Sequence, residues 1–259
     1  MDIELFCGDC LVEMNKIQSN SVDMVLCDLP YGVLNKSNIS AQWDKQLPLQ
    51  RLWEHYKRIV KPNGAIVLFG QGMFTAKLMM SNLKMWRYNL VWDKVLPTGF
   101  LNANKMPLRS HEDILVFYEK MPTYNPQMAK GKPLHSKGQQ YKTKEPKNRN
   151  YGVFKATDDS RKGSVEKFPK SIVRFAKPHP SVAVHSTEKP VSLCEWLIKT
   201  YTNEKETVLD NCMGSGSVGV AAVNTGRNFI GIELNKEYFQ IAQERIKEAE
   251  ERNGKDSLR

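Results

Sequence analysis

Short apolar runs alternate with helical stripes of apolar residues in the first and last parts of the chain. A run that ends at a turn residue is typical of a buried strand, whereas apolar residues at every third or fourth position indicate one face of a helix. Seven strands are predicted in this way, at 3–8, 22–28, 65–69, 88–92, 114–118, 207–209 and 229–232. Helices are predicted at 11–17, 49–60, 74–83, 190–201, 217–224 and 238–249. This alternation predicts an α/β fold with one doubly wound, mostly parallel sheet built from both chain ends.

The regular pattern stops in the middle of the chain. Between residues 121 and 183 no helix or strand is predicted, and prolines and aromatic residues are scattered through the segment. Polar residues also fill 33–47, whose length and composition suit a mobile substrate loop. We therefore expect 1–120 and 184–259 to be two halves of one domain, with 121–183 as an irregular inserted lobe.

The basic charge of the chain is concentrated in this inserted segment. The formal net charge is +10, and 121–183 contains 14 lysines and arginines against 4 acidic residues, while the two charge types cancel in the remainder. Localised positive charge suits a nucleic-acid backbone, because each neutralised phosphate releases counterions. A solubilising basic loop is the alternative interpretation.

Other features of the composition limit the class of protein. No apolar stretch approaches the roughly 18 residues that a membrane-spanning helix needs. The N-terminus lacks the basic start and apolar core of a signal peptide. We therefore expect a cytoplasmic protein with no membrane partner, whose five cysteines are reduced thiols. Cys7 and Cys10 have the C-x2-C spacing of some zinc sites, but no second ligand pair follows, so we expect buried small residues and no metal.

The strand at 22–28 runs directly into Asp28-Leu29-Pro30-Tyr31-Gly32. When a continuous apolar strand of an α/β sheet ends at an acid, its chemistry usually lies on the loop beyond its carboxyl end. This loop is therefore the first candidate for the functional site.

A second candidate site follows the strand at 207–209. Asp210 leads into a turn with Gly214 and Gly216, two residues that let a backbone approach a ligand closely. The turn lacks a Gly-Lys-Ser/Thr ending, so a phosphate-binding nucleotide loop is not expected. Glu233 ends the next strand, at the distance where an acid reaches a ribose diol in this topology. An acid near the start of the following helix is the alternative role for Glu233.

Together these segments resemble the amino-group DNA methyltransferases, a family that uses S-adenosylmethionine. Asp28-Leu29-Pro30-Tyr31 is similar to the family's catalytic loop Asp-Pro-Pro-Tyr, with leucine at the first proline. The stretch from Asp210 to Gly216 is similar to its cofactor motif Asp-Pro-Phe-x-Gly-x-Gly, with Asn-Cys-Met in place of Pro-Phe-x. Upstream of this motif, His185-Ser186-Thr187-Glu188-Lys189-Pro190 is similar to the family's His-Pro-Thr-Gln-Lys-Pro. The order of the three segments is that of the β group of the family.

The resemblance implies a seven-stranded methyltransferase sheet in which the strands ending at Asp28 and Asp210 lie side by side. It implies that the Asp28 carboxylate and the Leu29 carbonyl accept hydrogen bonds from the target amine. Pro30 would stiffen the loop, and Tyr31 would stack on a base flipped out of the duplex. The cofactor-binding residues implied by the resemblance are Asp9, Lys189, Asp210, Cys212, Gly214, Gly216 and Glu233. Ordinary alternatives exist for two of them, a common turn for Asp9 and helix capping for Lys189.

The same resemblance implies that 121–183 is the target-recognition lobe and that double-stranded DNA is the partner. Arg149, Arg161 and Arg174 are DNA-binding candidates by residue type. Trp43 either closes over the site or packs in the core. A homodimer and a cognate restriction nuclease are further partners that the family allows, since many of its members belong to restriction systems.

We therefore expect a site-specific DNA adenine-N6 methyltransferase. N4-cytosine methylation is the main alternative, although an initial Asp rather than Ser in the catalytic loop favours adenine. An alternative of a different class is a DNA-binding protein that has lost activity, which Leu29 and the Asn-Cys-Met replacement would support. The order of the motifs disfavours RNA or protein methylation.

Overall fold

The computed structural model describes residues 1–32, 44–133, 163–177 and 188–256. Three of the residues singled out above, Trp43, Arg149 and Arg161, lie outside these ranges, as does the stretch 185–187. The chain divides into two compact units, the larger formed by Met1–Asn125 with Ser171–Arg259 and the smaller by Pro126–Lys170.

Each predicted strand and helix overlaps an observed element of the same type. The strands are β1 (Ile3–Cys7), β2 (Val22–Cys27), β3 (Val60–Gly70), β4 (Trp86–Thr98), β5 (Arg109–Phe117), β6 (Ala129–Lys130), β7 (Glu166–Lys167), β8 (Ile172–Arg174), β9 (Thr207–Asp210) and β10 (Asn228–Glu233). The helices are α1 (Cys10–Glu13), α2 (Leu49–Ile59), α3 (Met73–Ser81), α4 (Val191–Tyr201), α5 (Ser217–Asn224) and α6 (Lys236–Asp256). Short 3-10 turns follow α1 at Met14–Lys16 and β4 at Phe100–Asn102.

The larger unit is built on one sheet with the strand order β1-β10-β9-β2-β3-β5-β4-β8. All neighbouring pairs are parallel except the two that involve β5. The expected doubly wound, mostly parallel α/β sheet is therefore confirmed.

In the described part of the chain the sheet has eight strands, so the expected number of seven is wrong. The additional strand is β8, which pairs with β4 through Val91 and Ile172 at the sheet edge. It lies within 121–183, the segment from which no element is predicted. Three residues are too few to show a period of two, so the partner strand is what defines β8.

Helices cover both faces of the sheet. Side chains of a strand alternate between faces, and in β2 Met24 and Leu26 belong to a core shared with α4, α5 and α6. Val25 and Cys27 belong to a second core shared with α1, α2 and α3. Because β2 is buried on both faces, only its ends are available for function.

The order of the sheet reverses between β2 and β9. These strands are parallel neighbours, with Met24 opposite Val208 and Val25 opposite Leu209. From β2 the chain continues through α2 to β3 on one side, and from β9 through α5 to β10 on the other. Such a switch point opens a crevice beyond the carboxyl ends of the two strands, where α/β sheets bind ligands.

The smaller unit contains one antiparallel pair in its described part, with Ala129 opposite Lys167 and Lys130 opposite Glu166. Gly131 donates a backbone hydrogen bond to Val165 and extends this pairing. None of the helices in the described ranges combines the length and apolar character needed to cross a membrane.

Candidate active site

The Asp28 carboxylate lies directly beyond the end of β2, and both of its oxygens accept hydrogen bonds. The Tyr31 hydroxyl donates to Oδ1 at 2.9 Å, and the Lys189 ammonium donates to Oδ2. The Asp28 side chain is 26% exposed, whereas that of Lys189 is only 8% exposed. The acid is thus at the boundary between the interior and the crevice.

The residues that follow Asp28 are held by packing. The Leu29 side chain is buried in the core that contains α1, α2 and α3. The Tyr31 ring stacks on Phe74 of α3, with ring centroids 4.7 Å apart and an interplanar angle of 26°. Burial, together with the nearby Asp28 carboxylate, raises the pKa of Tyr31 well above its ordinary value, so its hydroxyl stays protonated and donates.

Gly32 closes this loop. It has a positive φ of 70°, which favours glycine, and its N–H donates to the buried Asp44 carboxylate at 2.8 Å. The two ends of the polar loop, at Gly32 and Asp44, are thereby joined.

Two further charged residues, Lys94 and Glu112, lie beside Lys189. Lys94 Nζ is 3.3 Å from Glu112 Oε1, and Lys189 Nζ is 3.5 Å from Glu112 Oε2. Burial acts to raise the pKa of Glu112, but the ammonium groups of Lys189 and Lys94 outweigh it and hold this pKa below its ordinary value. Burial likewise acts to lower the pKa of Lys189, but Asp28 and Glu112 outweigh it and raise that pKa. Both groups therefore remain charged near neutral pH.

Lys189 is held in place through its neighbour Glu188. The Glu188 carboxylate accepts a hydrogen bond from Ser217 Oγ at 3.1 Å and pairs with Arg245 Nη2 at 2.5 Å. Arg245 also donates to the Ser215 carbonyl at 2.7 Å. These contacts tie the segment before α4 to the start of α5 and to α6.

The turn after β9 is shaped by two glycines with positive φ, 52° at Gly214 and 82° at Gly216. A Cβ at Gly214 would meet no heavy atom within 4 Å, so a side chain there would enter open space. A Cβ at Gly216 would lie 2.9 Å from the Ala242 Cβ and 3.0 Å from its Cα. Gly216 therefore permits close packing of the turn on α6, whereas Gly214 leaves the turn backbone accessible.

Two acidic side chains accept hydrogen bonds from backbone N–H groups of this turn. Asp210 is buried and accepts a hydrogen bond from the Cys212 N–H at 3.1 Å. Burial raises the pKa of Asp210 to about 7. Glu233 accepts from the Gly214 N–H at 2.9 Å and from the Asn235 N–H at 2.8 Å. Glu233 thus braces the glycine turn and also caps the region before α6.

The three residues between Asp210 and Gly214 are part of the packed interior. The Tyr56 hydroxyl of α2 donates to Asn211 Oδ1 at 2.6 Å, and both side chains are buried. Met213 is buried in the core shared with α4, α5 and α6. The Asn211 side-chain amide also donates a hydrogen bond to Cys212 Sγ at 3.5 Å. The Asn-Cys-Met sequence therefore fills space and anchors the turn to α2.

Asp9 follows β1, the strand next to β10. Its carboxylate accepts from the Leu11 N–H at 2.8 Å and caps α1. The Gly8 N–H donates to the Glu233 carbonyl at 2.9 Å, which brings the ends of β1 and β10 together. Four acids thus lie at or just beyond the carboxyl ends of four consecutive strands of the sheet, Asp9 at β1, Glu233 at β10, Asp210 at β9 and Asp28 at β2.

A family model described as DNA methylase, of the N6/N4 type, matches residues 22–244. The chain belongs to this DNA methylase family. The Asp28 loop, the basic segment 121–183 and the glycine turn all lie within the matched range, and of the predicted site residues only Asp9 lies outside it.

Relatives of the methylase include type II methyltransferases from bacteria. The HpaI methyltransferase of Haemophilus parainfluenzae is 27% identical, and the alignment covers 100% of this chain and 78% of the relative. The M2.DpnII methyltransferase of Streptococcus pneumoniae is 28% identical, with coverages of 95% and 90%. These two relatives are type II enzymes, and the family match shows that this chain is an enzyme that methylates DNA.

Solved structures with the same fold include the M1.HpyAVI–SAM complex and the PvuII cytosine-N4-specific DNA methyltransferase. The first has a TM-score of 0.62 at 24% identity and covers 94% of this chain and 98% of its own. The second has a TM-score of 0.65 at 14% identity and covers 97% and 92%. Both similarities concern the fold.

The structure brings most of the predicted site residues of the methylase to one edge of the sheet. Arg174 ends β8 at this same edge but on the last strand in the sheet order, and its exposed side chain pairs with Asp93 at 3.6 Å. Sequence reasoning missed Lys94 and Glu112 altogether. The available signal was their position in two alternating apolar runs, Leu90-x-Trp92-x-Lys94 and Glu112-x-Ile114-x-Val116, where a charge replaces an expected core residue.

Proposed function

We propose that the methylase transfers a methyl group from S-adenosylmethionine to the N6 amino group of adenine in double-stranded DNA, after flipping the base out of the helix. The observation that carries this proposal is the adjacency of β2 and β9, which brings the Asp28 loop and the glycine turn to one crevice. One loop would hold the amine and the other the methyl donor, in positions from which the two groups can meet.

The Asp28 carboxylate and the Leu29 carbonyl are proposed to accept hydrogen bonds from the two N–H groups of the target amine. The lone pair of such an amine is conjugated with the ring, and two acceptors draw the nitrogen towards a tetrahedral geometry that releases this pair. The buried Leu29 side chain supports a role for its backbone, because packing fixes the peptide without using the side chain for chemistry. Leucine in place of the family's proline is therefore compatible with activity.

Tyr31 is proposed to hold the flipped base by stacking. Phe74 supports one face of its ring, which leaves the other face for an aromatic base. Flipping is required because the target nitrogen cannot be reached inside the duplex. Pro30 would keep Tyr31 at a fixed distance from Asp28.

The turn after β9 fits S-adenosylmethionine in three respects. Gly214 has open space where a side chain would project, Asp210 supplies a buried acid, and Glu233 stands at the end of the next strand. We propose that Asp210 binds the methionine amine, Glu233 the ribose, and Asp9 the adenine amine, while Gly214, Gly216 and Cys212 line the approach. When bound, the cofactor supplies an electrophilic methyl group. Lys189 is also proposed to contact the cofactor. In the structure its ammonium contacts the Asp28 carboxylate.

The basic segment 121–183 is proposed to recognise the DNA target, with Arg149, Arg161 and Arg174 as candidates for phosphate or base contacts. The domain halves 1–120 and 184–259 would then carry catalysis and cofactor binding. We further propose that the enzyme acts in the cytoplasm of a bacterial or phage-infected cell, and that its partners are a second copy of the chain, in a homodimer, and a cognate restriction nuclease.

N4-cytosine methylation is the second candidate, because the matching family covers both amines. Incubation of duplex DNA with the enzyme and cofactor, followed by mass spectrometry of the nucleosides, distinguishes the two. N6-methyladenine is the expected product, and N4-methylcytosine alone would replace the first proposal by the second. DNA binding without any methyl transfer, unchanged in an Asp28→Ala variant, would indicate a binding protein that has lost activity.

A further inference from the structure

Four charged side chains form a continuous chain of contacts at the catalytic edge, in the order Lys94, Glu112, Lys189, Asp28. The exposed fractions of these side chains are 2%, 10%, 8% and 26%. The chain therefore runs from the interior to the crevice, with alternating charges that cancel. Buried charges are tolerated when they are paired in this way, although apolar residues of similar size would stabilise the fold at least as well.

Two neighbouring strands place Lys94 and Glu112 on the face of the sheet that packs against α4, α5 and α6. Glu112 on β5 lies opposite Trp92 on β4, and Lys94 is two residues beyond Trp92 on the same face. Lys94 contacts Glu112 through Oε1, and this contact leaves Oε2 facing Lys189. Lys177, half-buried nearby, adds a further positive charge near Glu112.

The contacts of Lys189 with its two acidic neighbours are unequal. Its ammonium donates a hydrogen bond to Asp28 Oδ2 but lies 3.5 Å from Glu112 Oε2. This Glu112 oxygen is buried and accepts no hydrogen bond from any residue of the described ranges. A shift of about 0.5 Å would bring Lys189 Nζ into hydrogen-bond range of Oε2, and the flexible stem of lysine permits such a shift.

We propose that Glu112 is a positioning residue that takes the Lys189 ammonium from Asp28 when Asp28 accepts the target amine. This inference rests on the proposed function, in which Asp28 is the acceptor. An ammonium on Oδ2 competes with the target amine for that oxygen. It also repels the positive charge that develops on the target nitrogen during methyl transfer. Moving the ammonium to Glu112 relieves both effects and keeps the buried charges paired.

A double-mutant cycle tests the proposal after methyl transfer by the wild-type enzyme has been established. We expect Glu112→Gln to lower the single-turnover rate of methyl transfer at least tenfold, with Kd values for cofactor and DNA changed less than about twofold. Because Glu112 acts through Lys189, adding Glu112→Gln to a Lys189→Met enzyme should cause no further loss of rate. Equal losses in both backgrounds, or a loss confined to the Kd values, would refute the proposal.

Glu119→Gln is the matched control, since it makes the same chemical change at an exposed residue just beyond the other end of β5. Its rate should equal that of the wild type. A transfer-competent wild type whose Asp28→Asn variant is inactive, but whose Glu112→Gln variant is unaffected, would leave the proposed function intact and reject only this inference.

A second measurement does not depend on the stability of any variant. In a crystal structure of the wild-type enzyme with target duplex and a non-reactive cofactor analogue, Lys189 Nζ should hydrogen-bond to Glu112 Oε2 and have left Asp28 Oδ2. Lys189 remaining on Asp28 while the target amine is bound there would overturn the proposal.

Discussion

The Lys189 ammonium donates a hydrogen bond to the Asp28 carboxylate across 161 positions of the sequence. The contact joins the segment that precedes the cofactor turn to the loop proposed to hold the target amine. Glu188 fixes one side of it through Ser217 and Arg245, and β2 fixes the other. The acid proposed as acceptor is therefore tied by a hydrogen bond to the segment that precedes α4.

Replacement of Asp28 by Asn should lower the rate of methyl transfer by about 10² to 10³, which is the usual effect of removing one preorganised charged partner of a transition state. The cofactor turn is built from other residues, so the Kd for S-adenosylmethionine should change less than about threefold. Single-turnover kinetics and cofactor titration measure the two quantities. A parallel loss of cofactor binding would show that Asp28 organises the fold rather than the reaction.

Tyr31 offers a pair of variants that separate its hydroxyl from its ring. Tyr31→Phe retains the stack on Phe74 and loses only the hydrogen bond to Asp28, so we expect a rate within about fivefold of wild type, since such a bond contributes about 1 kcal/mol. Tyr31→Ala removes the ring and should slow transfer much more. The fluorescence of 2-aminopurine at the target position, which rises when the base leaves the stack, should fall in the Ala variant. Equal signals from both variants would argue against stacking.

The two glycines of the cofactor turn should respond differently to alanine. Gly216→Ala should destabilise the fold by about 3 kcal/mol or more, because positive φ costs about 1–2 kcal/mol and the Cβ also clashes with Ala242. Gly214→Ala should cost only about 1–2 kcal/mol from its backbone conformation, yet weaken cofactor binding at least tenfold. Denaturant unfolding and cofactor titration of both variants check this contrast. Tight cofactor binding by Gly214→Ala would remove Gly214 from the proposed site.

Asp210 should make stability depend on pH. Its folded-state pKa of about 7 is higher than the value of about 3.9 expected in the unfolded chain. The folded state therefore retains a proton that the unfolded state loses, and the free energy of unfolding falls as pH rises from about 4 to about 7.

Asp210→Asn removes this titration, so its stability relative to wild type should increase over that interval and then stay constant up to pH 8. Its affinity for S-adenosylmethionine should fall, because the amide cannot pair with the methionine amine. Urea unfolding of both proteins at pH 5 and pH 8 is the measurement. A constant difference between the two proteins would contradict the raised pKa.

The positions of the principal elements could be predicted from the sequence. A short apolar run such as Val22–Cys27 indicates a buried strand, and a stripe with helical spacing such as that of Leu49–Ile59 indicates a helix. Both patterns are visible in the sequence because each element must bury apolar residues within the sheet or against it. The catalytic loop and the glycine turn could be found for a related reason, since each begins where an apolar strand ends at an acid. Their adjacency, expected from the family resemblance, is confirmed by the pairing of β2 with β9.

The eighth strand and the charged contacts of the site depend on tertiary structure alone. The strand β8 exists only because β4 pairs with its three residues. The contacts of Lys189 with Asp28 and Glu112 join residues 161 and 77 positions apart, and no local period records such a distance. Lys94 and Glu112 stand in apolar runs as isolated charges, and only the packing of β4 against β5 shows that they neutralise each other. Local patterns are determined by burial along one element, whereas the electrostatics of this site depend on which elements the fold brings together.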